Sequence, residues 1–319
     1  MAGIKAALLG ADGKLRFFWR AVIFYVAANY ALFPLLVWPT ERISAWLGIA
    51  PGLTPGNIAI SEIGTFLTAL ILTAIFARYE HRRIDSYGLM LDRAFGLPTF
   101  EGALAGIAMA GAVALGMLAL GGMQVKGWAP NQGGILFFAL AWLLANICIG
   151  IAEEAYYRGY FLQSLWKSIG FWPGATLVAL TFTADHYFFK QGENIWDVIT
   201  LMSLSLLLSY SMLKTGTLWF AVGFHIAFDY MQLFVIGTPN GSQLPVGRLL
   251  DVRFDGPWWL TGGVLGTEAS FLMYPAIALL WLYVWWRYRK PFYSPHLSLS
   301  RKRSETSSPV RPSATGEES

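Results

Sequence analysis

Cysteine, charge and histidine are all scarce in this sequence. The single cysteine, Cys148, excludes an internal disulfide framework and any cysteine-based zinc site. It sits inside an apolar run, where a small core side chain is its simplest role. Charged residues make up only 13% of the chain while 55% is hydrophobic. A soluble globular domain carries roughly 25% charge, so an ordinary soluble fold is excluded. A secretory leader is also lacking: residues 1–16 show no short apolar core followed by a small-residue cleavage site. The first apolar run is therefore expected to be a retained span. The net charge of +4 does not point to nucleic acid, because the bases flank apolar runs instead of forming a stripe with aromatic residues.

What the chain has in abundance is apolar sequence in runs of membrane-crossing length, about 20 residues each. They read at Phe17 to Trp38, Ile58 to Ala77, Ala103 to Leu120, Gly134 to Ile151, Phe171 to Phe189, Ile195 to Leu213, Thr217 to Ile236 and Ala269 to Trp286. The expected fold is all-α, a polytopic bundle of about eight transmembrane helices. Eight crossings place both termini on one side, and Lys and Arg number 18 on that side against five on the other. By the positive-inside rule both termini are expected in the cytoplasm of a bacterial-type plasma membrane. Residues 1–16 then form a cytoplasmic segment, 17–290 the membrane domain, and 291–319 a Ser/Pro-rich tail with too little apolar surface to fold alone.

Against that background a few ionisable residues stand out. Glu153 and Glu154 follow the fourth run with no loop signal between, and an intramembrane carboxylate is by default a functional candidate, since charge in hydrocarbon costs several kcal/mol unless it is neutralised or paired. Glu154 and Arg158 are spaced i and i+4 and can pair on one helix face. Glu153 lies about 100° around the cylinder with no such partner, which makes it the better candidate for chemistry. Of four histidines, His81 and His296 lie in basic or tail segments, whereas His186 and His225 lie in apolar context, His225 one turn before Asp229. A lone histidine of this kind is usually a hydrogen-bonded core residue. Gathered in one hydrated cavity, however, Glu153, Glu154, His186, His225 and Asp229 have the parts for hydrolysis: a carboxylate to deprotonate water, and imidazoles to steady an oxyanion. Glu62 and Glu268, near the ends of their spans, are expected to reach the interface instead. A divalent metal such as zinc, held by some of Glu153, His186, His225 and Asp229, and a metal-free mechanism both remain open, because no His-Glu-x-x-His helix is present. A serine nucleophile is disfavoured by the lack of a Gly-x-Ser-x-Gly elbow.

At these residues the chain resembles the CAAX-processing and bacteriocin-immunity group of intramembrane endopeptidases, the type II CAAX prenyl endopeptidase family. The Glu-Glu-x-x-x-Arg motif matches Glu153-Glu154 and Arg158, with Tyr157 before the arginine. Phe-x-x-x-His matches Phe182 and His186, and the third motif, His followed four residues later by Asn or a similar polar residue, matches His225 with Asp229 where the family usually has Asn. The resemblance spans about 136–231. It implies a membrane-embedded peptidase in which Glu153 activates water, Glu154 and Arg158 organise the site, Tyr157 and Phe182 support it, and His186, His225 and the residue at 229 bind an oxyanion or a metal. A membrane-associated protein or peptide is the implied substrate. The rival readings are a proton-coupled transporter using the same groups as a relay, and a non-catalytic immunity or scaffold protein. Convergence of the site needs the fourth helix to continue past Glu153 toward Trp166 or the fifth to begin outside the bilayer, and the first is expected. That continuation is expected to be amphipathic and to lie at the inner interface, with the site near the cytoplasmic face.

Overall fold

A computed structural model describes residue 5, residues 7–130, 134–189, 192, 194–290 and 292. The expected tail at 291–319 lies, but for Phe292, outside the described residues. Eight helical segments carry the fold: α1 (Phe17–Trp46), α2 (Pro55–Glu80), α3 (Leu97–Ala119), α4 (Ile135–Ile169), α5 (Phe171–Phe189), α6 (Ile195–Thr215), α7 (Trp219–Ile236) and α8 (Gly263–Arg287). Seven of them are long and apolar enough to cross a membrane, and the protein is an integral membrane protein. The exception is α5, which is long enough at 19 residues. Thr181, Thr183, Asp185 and His186 dilute its apolar character, so it belongs to the bundle through its packing on α6 and on the end of α4.

Local chemistry sets the helix ends. Thr54 caps α2, its side chain accepting from the Asn57 amide, with Pro55 at the first helical position. Asn194 caps α6 through the amides of Trp196 and Asp197, and Gly216 ends that helix in the left-handed region. The decisive element is α4, which runs 35 residues without interruption by a loop. It bends at Gly159, whose ψ of −113° is not helical. Residues 154–161 are all buried. The stretch after Glu153 is therefore no interfacial helix, as its mixed polarity suggested. Phe24, Tyr25 and Phe33 of α1 cover it, Phe24 stacking on Tyr160, Tyr25 on Phe161, and Phe33 packing at a tilt on Tyr156.

Helix α7 is wedged between α3 and α4 by close backbone approach. A Cβ at Gly102 would lie 2.1 Å from the Phe220 carbonyl oxygen, and one at Gly223 would lie 2.1 Å from that of Thr99. On the other flank, Gly150 of α4 meets Ile226. Small residues at helix crossings are how membrane bundles gain dispersion contact where burial from water offers no drive.

The two ends of the bundle differ. At one, Leu218 donates to the Gly88 carbonyl (3.0 Å), Trp219 Nε1 to that of Met90 (2.7 Å), and Glu80 is surrounded by Arg20, Lys167, Tyr87 and Tyr160. Burial, and after it the neighbouring carboxylate, push the Tyr87 phenol well up, so it remains a hydrogen-bond donor to Glu80. At the opposite end β1 (Met123–Trp128) pairs antiparallel with β2 (Leu250–Phe254), a small sheet on an otherwise helical protein. There Val246 donates to the Leu53 carbonyl and Ser242 to that of Val264, both at 2.9 Å.

Candidate active site

The ionisable residues of α4, α5 and α7 converge. Glu154 is fully buried; its Oε1 accepts from Arg158 Nη1 at 2.7 Å and lies 3.2 Å from His225 Nδ1. Arg158, equally buried, donates through Nη2 to Ser205 Oγ of α6 at 2.9 Å. The i, i+4 pair read from the sequence thus forms, and it also ties α4 to α6. The other nitrogen of the same ring, His225 Nε2, lies 3.4 Å from Asp229 Oδ2 and 3.7 Å from Glu153 Oε2. The two adjacent glutamates, pointing in different directions from α4, address opposite nitrogens of one imidazole.

His225 needs its helix fixed to hold three carboxylates at once, and the glycine contacts of α7 supply that. His186 is oriented differently. Its Nδ1 is 2.9 Å from the Phe182 carbonyl one turn earlier. A carbonyl only accepts, so Nδ1 carries the hydrogen and Nε2 is left with a lone pair in the neutral ring. The Phe182 ring packs on His186 with centroids 4.3 Å apart, and Tyr157 meets the edge of Phe182 at 5.0 Å. Asp185 takes hydrogen bonds from Tyr25 and Tyr157, both at 2.8 Å, and so fixes α5 to α1 and α4.

Glu153, Arg158, His186, His225 and Asp229 line one cavity of about 180 Å³. Glu62 and Glu268, expected at the interface, line it as well, and so do Ser205 and Gln232. Gln232 donates to Glu268 at 3.3 Å and accepts from the Thr267 hydroxyl. The signal for Glu62 was the same as for Glu153, an acid inside an apolar run. Its position two turns into α2 suggested escape to the headgroups, but the neighbouring connections fold over that end. Glu153 Oε2 and Glu62 Oε2 are buried without a hydrogen-bond partner among the described residues.

A metal finds a poor donor set here. Among the described residues no group of three or more His, Cys, Asp or Glu is arranged to hold a metal ion. Both nitrogens of His225 already face carboxylates.

No curated protein and no solved structure matches the chain. One family model does, that of Type II CAAX prenyl endopeptidase Rce1-like proteins, over residues 135–231. That segment contains Glu153, Glu154, Arg158, His186, His225 and Asp229, so the resemblance to this peptidase family read from the three motifs is borne out where the site residues lie.

Proposed function

We propose that the protein is an intramembrane endopeptidase in which Glu153 deprotonates a water molecule that attacks a peptide carbonyl. The observation that carries this reading is the Glu153 Oε2 atom: buried, without a hydrogen bond, and facing a cavity it shares with both imidazoles. A carboxylate whose lone pairs are already taken is a poor base, and this one keeps an oxygen available.

The neighbours divide the remaining work. His186, with its proton held at Nδ1 by Phe182, offers Nε2 to orient the water. His225 has three carboxylates within 4 Å, Glu154 at Nδ1 and Asp229 and Glu153 at Nε2, and a positively charged ring is the form that balances them. Asp229 in place of the usual Asn therefore acts on His225, helping hold it charged, and is not asked to donate to an oxyanion. The positive charge that steadies the developing oxyanion comes from His225 and from Arg158 at the cavity floor. As the tetrahedral adduct collapses, the proton taken by Glu153 passes to the leaving amine and the C–N bond breaks. A cavity lined from one end of the bundle suits this hydrolysis better than transport, which needs access from both sides in turn.

The test uses purified protein in detergent with two membrane peptides, one carrying a prenylated C-terminus and one without lipid. Wild type is expected to cleave at least one. Glu153→Gln keeps the shape, removes the base, and should lower the rate by about 10²–10⁴-fold. Equal rates for the two proteins would overturn the assignment.

A further inference from the structure

The cavity is lined from one end of the bundle. Its floor is at mid-bundle, where Arg158 of α4 meets Ser205 of α6. Its outer wall is made of connections: Leu53 between α1 and α2, Thr238, Pro239 and Asn240 after α7, and Leu265 at the start of α8. All of these belong to the end that carries β1 and β2. None of the lining residues comes from the connections 81–96 or 214–218 at the other end, where the Glu80 cluster joins α1, α2 and α4. The sequence predicts the opposite placement, since the fourth apolar run stops at Ile151 and leaves Glu153 at the inner boundary. The continuation of α4 to Ile169 puts a further 16 residues, about 24 Å of helix, between Glu153 and that boundary.

Charge distinguishes the two ends. The closed end carries Lys14, Arg16, Arg82, Arg83, Arg93 and Lys214, with others beside them. The open end has four described bases, Arg42, Lys126, Arg248 and Arg253, of which the last two are paired with Asp251 and Asp255 at 3.1 and 3.0 Å. The positive-inside rule assigns the base-rich end to the cytoplasm.

We propose that the cavity receives its substrate from the extracytoplasmic side, so that the substrate class is a polypeptide segment already moved into or across the membrane and not a cytoplasmic chain terminus. The word substrate rests on the peptidase reading; the direction of access does not.

Site-specific labelling in intact cells tests the direction without requiring activity. In a Cys148→Ala background, Asn240→Cys places a thiol at the cavity mouth and Asp92→Cys places one on the exposed surface of the 81–96 connection. Gln243→Cys, exposed on the same connection as Asn240, replaces Asn240→Cys should that variant not accumulate. A membrane-impermeant maleimide is expected to label the thiol at 240 or 243 in intact cells and the thiol at 92 only after permeabilisation. The reverse pattern, or labelling of both from one face, overturns the proposal. In sealed vesicles whose orientation the labels define, a reporter peptide presented at the Asn240 face should be cleaved and the same peptide at the Asp92 face should not; cleavage only from the Asp92 face overturns access. In detergent both faces are open, so Glu153→Gln retaining wild-type cleavage there counts against the peptidase reading alone.

Discussion

Two carboxylates on neighbouring helices are withdrawn from water in this protein and meet opposite circumstances. Glu80, at the closed end, receives Tyr160 at 2.7 Å, Arg20 at 3.0 Å and Tyr87 at 3.1 Å, with Lys167 at 3.6 Å. Glu153, in the cavity, has among the described residues one ion-pair partner within 4 Å, His225 at 3.7 Å, and one oxygen without a hydrogen bond. The first arrangement satisfies an anion so completely that nothing is left to react. The second leaves an anion underused beside a space that fits a few water molecules. Burial alone therefore does not mark a reactive acid in a membrane protein; the number of donors already committed to it does.

The sharpest way to break this comparison is to exchange the two effects. Glu153→Gln should abolish most cleavage, by the factor given above, while leaving the apparent melting temperature in detergent near that of wild type. Glu80→Gln should do the reverse. It removes the negative charge between Arg20 and Lys167, and breaking a buried pair costs roughly 3–5 kcal/mol. A large drop in melting temperature with the chemical step of the surviving folded fraction intact would support the division; loss of catalysis without loss of stability would undo it.

Two smaller changes sharpen the boundary between scaffold and site. Gly223→Ala drives a methyl against the Thr99 carbonyl and must push α7 from α3, at a cost of about 1–3 kcal/mol of overpacking. Because α7 carries His225 and Asp229, cleavage should fall further than unfolding of a fraction of the protein explains, and a rate per folded molecule equal to wild type would show that the site tolerates the shift. Asp185→Asn leaves one of the two tyrosines, Tyr25 or Tyr157, without its acceptor. The expected loss is about 1 kcal/mol, with a modest fall in cleavage through looser placement of His186 and no change in which peptide bond is cut.

How much of this was legible in the sequence follows from range. The apolar runs depend on composition within some 20 residues, and all eight recur as helical segments, seven of them long and apolar enough to cross a membrane. The Glu154–Arg158 pair depends on one helical turn and forms as spaced. The placement of Glu62 and Glu268 in the cavity depends on connections 237–249 and 47–54 folding over the end of the bundle, which no local pattern reports. The strand at Leu250–Phe254, between the seventh and eighth apolar runs, is reported by no local pattern, because its partner is more than 120 residues away and the pairing is specified by neither strand alone. The course of α4 after Glu153 reads as interfacial because its tyrosines and charged residues look amphipathic, and only the aromatic cover from α1 makes that composition a core.

The glycine seams on both flanks of α7 carry a further consequence. A rod pressed backbone to backbone against two neighbours has no slack to slide or tilt, so the imidazole at its centre stands ready before any peptide arrives. The cover above it is held differently, the segment after α7 meeting the link before α2 through the Val246 to Leu53 backbone hydrogen bond and α8 through that of Ser242 to Val264.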